Sequence, residues 1–93
     1  MSLPMKSELL TYLKAGKQYW DYELVDRLMK ENGKDTEYWK FQFRFWLMEF
    51  QGCGLITDVE YAEDDGSKFR EGNVLMKYVI TDLGLERISS MLE

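Results

Sequence analysis

The chain has 93 residues, 45% hydrophobic, 31% charged and 15% aromatic, with a single Pro, which is enough apolar side chain for one folded core and not for two. With no His and one Cys, it lacks an internal disulfide, the usual zinc, haem and iron-sulfur ligand sets, and every Ser-His or Cys-His nucleophile pair. Its net charge of −5 repels phosphate, so any contact with nucleic acid has to come from a local basic patch.

No stretch approaches the roughly 18 consecutive apolar residues of a membrane span, and the N-terminus lacks the charged, apolar and small-residue order of a signal peptide. A cytoplasmic domain without cofactor, metal or enzymatic activity is expected, with no membrane partner. Met1-Ser2-Leu3 reads as an expression-vector remnant, leaving residues 4–93 as one domain.

The first periodic segment, residues 4 to about 14, carries Met5, Leu9, Leu10 and Leu13 near one helical face, with Pro4 in the tolerated first turn and Gly16 as the stop. Residues 17–20 suit an extended connector or a one-bridge strand. Asp21 can cap a second helix whose buried face holds Leu24, Val25, Leu28 and Met29, and Asn32-Gly33 ends it. Trp20 and Tyr22 read as core packing rather than as a ligand pocket.

Asp35 or Thr36 can cap a third helix, about 36–51, that holds three stripes. At about 100° per residue, Trp39, Phe43, Trp46, Leu47 and Phe50 cluster as a core face. Glu37, Lys40, Arg44 and Gln51 form a polar stripe beside it. Tyr38, Phe41, Phe45 and Met48 lie roughly opposite the core, where a simple amphipathic helix has nothing apolar. Cys53, between Gly52 and Gly54, reads as a small packing residue.

Residues 55–61 are rich in β-branched side chains and read as a strand. Asp64-Asp65-Gly66-Ser67 offers an Asp-Gly turn signal, and Val74, Met76, Tyr78 and Ile80 alternate on the return with Lys77 facing the other way. Thr81 or Asp82 can cap a last helix presenting Leu85, Ile88, Met91 and Leu92 to the core.

Two fragments carry a resemblance. Phe43, Leu47 and Phe50 stand eleven, seven and four positions before the Gly of Gly54-Leu55-Ile56, a spacing that resembles the end of a recognition helix. Lys77-Tyr78-Val79-Ile80-Thr81-Asp82-Leu83-Gly84-Leu85-Glu86-Arg87-Ile88 resembles the strand-to-helix junction of the PadR and MarR transcriptional regulators, with its Thr-x-x-Gly step. Together they resemble a winged helix-turn-helix domain: mainly α, a three-helix bundle, an antiparallel β hairpin as the wing (about 55–80), and a C-terminal helix.

That resemblance implies a small transcriptional regulator that places helix three in the major groove of double-stranded DNA and its wing on phosphates. Thr36, Tyr38, Lys40, Phe41 and Arg44 on the helix, with Lys68 and Arg70 on the wing, are the DNA-binding candidates. Phe41 and Phe45 stand where polar or basic groups are commoner, and Glu63, Asp64 and Asp65 load the wing with acid. Tyr38, Phe41, Phe45 and Met48 are equally the candidate interface of a homodimer, or of a protein-interaction module docking through helix three.

Overall fold

The computed structural model describes residues 3–92. Met1 and Ser2, and with them most of the expected vector remnant, lie outside the described residues, as does the side chain of Leu92. The elements are α1 (Met5–Thr11), β1 (Tyr19–Trp20), α2 (Asp21–Glu31), α3 (Glu37–Gly52), β2 (Ile56–Glu63), β3 (Val74–Ile80) and α4 (Asp82–Leu92). The strands form one antiparallel sheet in the order β1-β3-β2. The short connector before α2 thus becomes a third strand beside the hairpin. This is the winged-helix architecture.

Helix α1 stops at Thr11, short of the expected end near residue 14. Tyr12, Leu13 and Lys14 donate to the carbonyls three residues back, at 3.3, 3.1 and 3.1 Å, and this tighter turn ends at Gly16 with φ +81. Leu13 is buried all the same. Helix α2 corrects a second expectation, since Asp21 does not cap it. Glu23 Oε1 accepts the Trp20 N–H at 2.9 Å, whereas Asp21 is buried and accepts the Tyr22 N–H at 2.8 Å and the Met76 N–H of β3 at 3.2 Å. Burial pushes the Asp21 carboxyl above the ordinary carboxylate range, against the pull of those donors.

Thr36 caps α3 by accepting the Trp39 N–H at 3.4 Å. At the other end Gly54, φ +77, turns the chain so that the Leu55 N–H returns to the Phe50 carbonyl at 2.9 Å. Cys53, at the helix end, is exposed rather than packed, because the core face has already turned away there. Phe43, Leu47 and Phe50 are buried in the core with Leu9, Leu28 and Ile88, while Trp39 and Trp46 pack against its edge.

The two resembling fragments meet in space. The Leu55 carbonyl accepts the Thr81 N–H at 3.1 Å and the Thr81 hydroxyl at 3.0 Å, and Thr81 Oγ1 in turn accepts the Gly84 N–H at 3.0 Å, capping α4. A Cβ at position 84 would sit 2.2 Å from the Leu55 oxygen, so the Thr-x-x-Gly step is needed for α4 to dock on the end of α3. This docking turns Gly84, Ile88 and Met91 inward, so Leu85, expected in the core, is 42% exposed.

The hairpin does not close through a two-residue Asp-Gly turn. Strand β2, bulged between Asp58 and Glu60, ends at Glu63, and β3 begins at Val74; residues 64–73 form a folded loop. Asp64 is buried at its centre and accepts the N–H groups of Gly66, Lys68, Phe69 and Arg70 at 2.9, 3.2, 2.6 and 3.0 Å. Those donors hold its carboxyl below the ordinary range although burial acts the other way. Among the described residues, no helix is long and apolar enough to cross a membrane.

Candidate functional site

Helix α3 divides lengthwise into three faces. The inner face is the core, and one flank is held by the hairpin. Gln51 Nε2 donates to Asp58 Oδ1 at 2.5 Å and the Tyr78 hydroxyl donates to Gln51 Oε1 at 3.1 Å, while Tyr61 also donates to Asp58. One to two turns nearer the N-terminus, Arg44 Nη2 donates to the Val74 carbonyl at 3.1 Å. The outer face is left to solvent, with Tyr38, Phe45 and Met48 exposed by 68%, 53% and 39%.

The loop 64–73 folds back onto the N-terminal half of this helix through Phe69, which is only 6% exposed. Its ring lies 6.1 Å from that of Phe41, with the Arg44 guanidinium 5.0 Å and the Lys40 ammonium 5.6 Å from its centroid. Arg70 stacks over Phe41 at 4.8 Å, and Lys68 sits 4.4 Å from the Tyr22 ring at the start of α2. Cation–ring attraction of this kind contributes about 0.5 to 2 kcal/mol per pair, the larger values where water is excluded. The result is a junction of α2, α3 and wing in which four cations each lie on an aromatic ring.

The candidates from sequence are thereby sorted. Lys40, Lys68 and Arg70 lie on the rings of the wing–helix junction, Arg70 exposed and the two lysines half-buried. Arg44 belongs to the same cluster but is turned inward: its guanidinium is bonded to β3, and its Nε is buried without a hydrogen-bond partner. Thr36 is engaged as the helix cap. Phe41 is half-buried under Arg70 and beside Phe69, unlike the exposed Tyr38 and Phe45. An open depression of 410 Å³ between Glu37, Tyr38, Phe41, Gln42 and Arg70 marks where wing and helix front meet.

Three contributors to the junction do not stand out in the sequence. Phe69 is one aromatic between Lys68 and Arg70 in an otherwise acidic loop, and that isolation was the available signal. In the sequence Asp64 reads as part of a turn, and Tyr22 as ordinary packing. Acid surrounds the junction as well, with Glu37 at the start of α3 and Glu63, Asp65 and Glu71 on the wing. Among the described residues, no group of three or more His, Cys, Asp or Glu could hold a metal ion.

No protein-family model and no curated protein matches the chain. Its fold is similar to solved structures of RosR from H. salinarum. The protein grown from NaBr aligns with TM-score 0.66 at 16% identity, covering 98% of this chain and 71% of that one. Structures described as the complexes RosR-S1 and RosR-S4 align with TM-scores 0.65 and 0.66, also at 16% identity, covering 98% of this chain and 70% and 68% of theirs. These likenesses carry the winged-helix fold and lend no support to the finer resemblance to PadR and MarR regulators.

Proposed function

We propose that this domain is a double-stranded-DNA-binding transcriptional regulator that places the outer face of α3 in the major groove and the wing junction on the flanking phosphates. The observation that carries the reading is the basic cluster of the wing junction, Lys40 and Arg70 at the front of α3 and Lys68 at the start of α2, in a chain whose net charge is −5. A local basic cluster is the electrostatic requirement for DNA contact in an acidic protein. The fold points the same way, since a winged helix presents its third helix and its wing as the elements that can enter a major groove and touch the flanking phosphates. In this reading the domain acts as a homodimer, so that two α3 helices reach successive major grooves.

Three phosphate contacts from each of two copies imply a slope of log K against log salt of about −5, at roughly −0.9 per contact. Fluorescence titration of duplex DNA at several salt concentrations measures it. Lys40→Ala in both copies reduces that slope by about two. Binding that is undetectable at low salt removes the reading. It would favour the competing one, docking of a protein partner, for which the exposure of Tyr38, Phe45 and Met48 is the specific observation. Sedimentation tests the dimer separately.

A further inference from the structure

A helix that reads DNA commonly does so with Arg on guanine or with Asn and Gln on adenine. Here the Arg on α3 is committed elsewhere: Arg44 bonds the Val74 carbonyl at 3.1 Å, lies 5.0 Å over Phe69, and has its Nε buried. The face left for bases is mostly apolar, consisting of Tyr38, Phe45 and Met48 with the edge of Phe41 beside them, and its polar groups, Glu37 and Gln42, lie at the front of the helix around the depression with Arg70. From 38 to 48 this stripe runs about 15 Å along the helix axis at roughly 1.5 Å per residue.

The flanks of the stripe are cationic at its N-terminal half. Lys34 lies 4.8 Å over Trp39 on one side of α3, and Lys40 and Arg70 lie on the other through their contacts with Phe69 and Phe41. Glu49, beyond the stripe, is paired with Lys6 at 3.1 Å. An apolar ridge whose N-terminal margins carry Lys34, Lys40 and Arg70, with the acid Glu37 among them, matches a groove floored by bases and walled by phosphates, and it is the excess of cations at these margins that favours the duplex over a protein surface as occupant.

Apolar side chains find one partner on the floor of the major groove, the C5-methyl group of thymine. Every other feature there is a hydrogen-bond donor or acceptor that loses water against Phe or Met without gaining a bond. Resting on the DNA-binding reading above, we propose that α3 selects duplexes by their pyrimidine C5-methyl groups, which pack on Tyr38, Phe45 and Met48, and that Arg44 is the clasp of the wing rather than a reader of bases.

The test titrates the full chain, at fixed low salt, with a duplex of alternating A·T pairs made either with thymidine or with deoxyuridine, which lacks only the methyl groups. Each methyl removed from water is worth about a fourfold change in K. Two or three such contacts therefore make the deoxyuridine duplex about tenfold or more weaker. A G·C duplex should likewise bind more tightly when its cytosines carry 5-methyl groups. The variant carrying Phe45→Ser and Met48→Ser should lose the discrimination, its affinities for the thymidine and deoxyuridine duplexes coming to within about twofold of each other. Arg44→Gln should leave the thymidine-to-deoxyuridine ratio within about twofold while the Phe69 and Arg70 amides exchange faster. Equal, salt-dependent affinity for the two duplexes overturns the methyl reading and leaves DNA binding standing. So does discrimination that survives the double variant or disappears in Arg44→Gln. Absence of binding to any duplex removes both readings together.

Discussion

The inner and outer faces of α3 are equally aromatic and meet opposite fates. Phe43, Leu47 and Phe50 are 0%, 0% and 6% exposed, whereas Tyr38, Phe45 and Met48, on the same helix, are 68%, 53% and 39% exposed. Between them runs the flank whose Arg44 and Gln51 are bonded to the hairpin at Val74 and Asp58. Apolar character alone does not place a residue inside. What decides is whether another element can reach it: among the described residues the three-helix bundle reaches one face, the hairpin a second, and the third is touched only at Phe41 by Phe69 and Arg70 of the wing.

The largest effects should come from the inner face. Phe43→Ala and Leu47→Ala each remove a fully buried side chain and should cost about 2 to 5 kcal/mol through lost transfer energy and an unfilled cavity. A domain of this size has a total stability of about 5 to 10 kcal/mol, so much of each variant should unfold well below the parent's denaturation midpoint. Midpoints close to the parent's would mean that the inner and outer faces have been interchanged.

Phe69→Ala probes the flank. The residue is as buried as Phe50, at 6% exposure, yet it belongs to a loop that can come away without dissolving the bundle, so the cost should fall to about 1 to 3 kcal/mol. Hydrogen exchange separates the two cases. Amides of Gly66, Lys68, Phe69 and Arg70 should lose protection while those of α1 keep it, and a uniform loss throughout the chain would show the wing to be part of the global core.

Which of these contacts the sequence discloses depends on how far apart the partners lie along the chain. The core stripe of α3 follows from the helical period alone, and the Thr36 cap and the Gly54 turn follow from local backbone chemistry. The Thr81 cap is legible for the same reason, and so is the extended backbone before α2, whereas its pairing with β3, Tyr19 opposite Tyr78, is not. By contrast, Arg44 meets Val74 and Phe69, and Asp21 meets Met76, across separations that no local pattern encodes. Asp64 is the clearest case, because Asp-Gly is a hairpin signal only when the carboxylate is not claimed as acceptor by the following N–H groups. Leu85 misled for a related reason: the close approach at Gly84 fixes the rotation of α4, and that contact is with the end of α3.

The two buried aspartates bound the same region and should titrate in opposite senses. Asp21 has its pKa raised by burial, so the folded chain binds its proton more tightly than the unfolded one. The stability linked to it is fully present below the ordinary carboxylate range and is lost as pH rises through the raised folded value. Asp64, lowered by its N–H donors despite burial, contributes stability that is present above the ordinary range and is lost as pH falls through the lowered folded value. Asp21→Asn keeps an acceptor for the Met76 N–H and should gain on the parent in neutral solution, the gain vanishing in acid. Asp64→Asn should lose in neutral solution, the loss shrinking in acid. Stability measured across that range for both variants checks the signs, and parallel curves would mean that the two carboxyls do not differ in the way their surroundings require.

The smallest effect is expected at the outer face, where it is the most informative. Phe45→Ser removes a ring that is more than half in water and whose neighbours along the helix, Tyr38 and Met48, are exposed as well. Little transfer energy is lost and no enclosed cavity forms, so the denaturation midpoint should shift by no more than about 0.5 kcal/mol in equivalent stability. Serine is a weaker helix former than most, which accounts for a few tenths of that by itself. A loss comparable to that of Phe43→Ala at dilute protein concentration would mean that Phe45 is covered in the folded chain. A loss that grows with protein concentration would mean that a second copy covers it, because only an associated state gains stability from being concentrated. A concentration-independent midpoint near the parent's leaves the ring free in the isolated domain, as a surface kept apolar for something outside it.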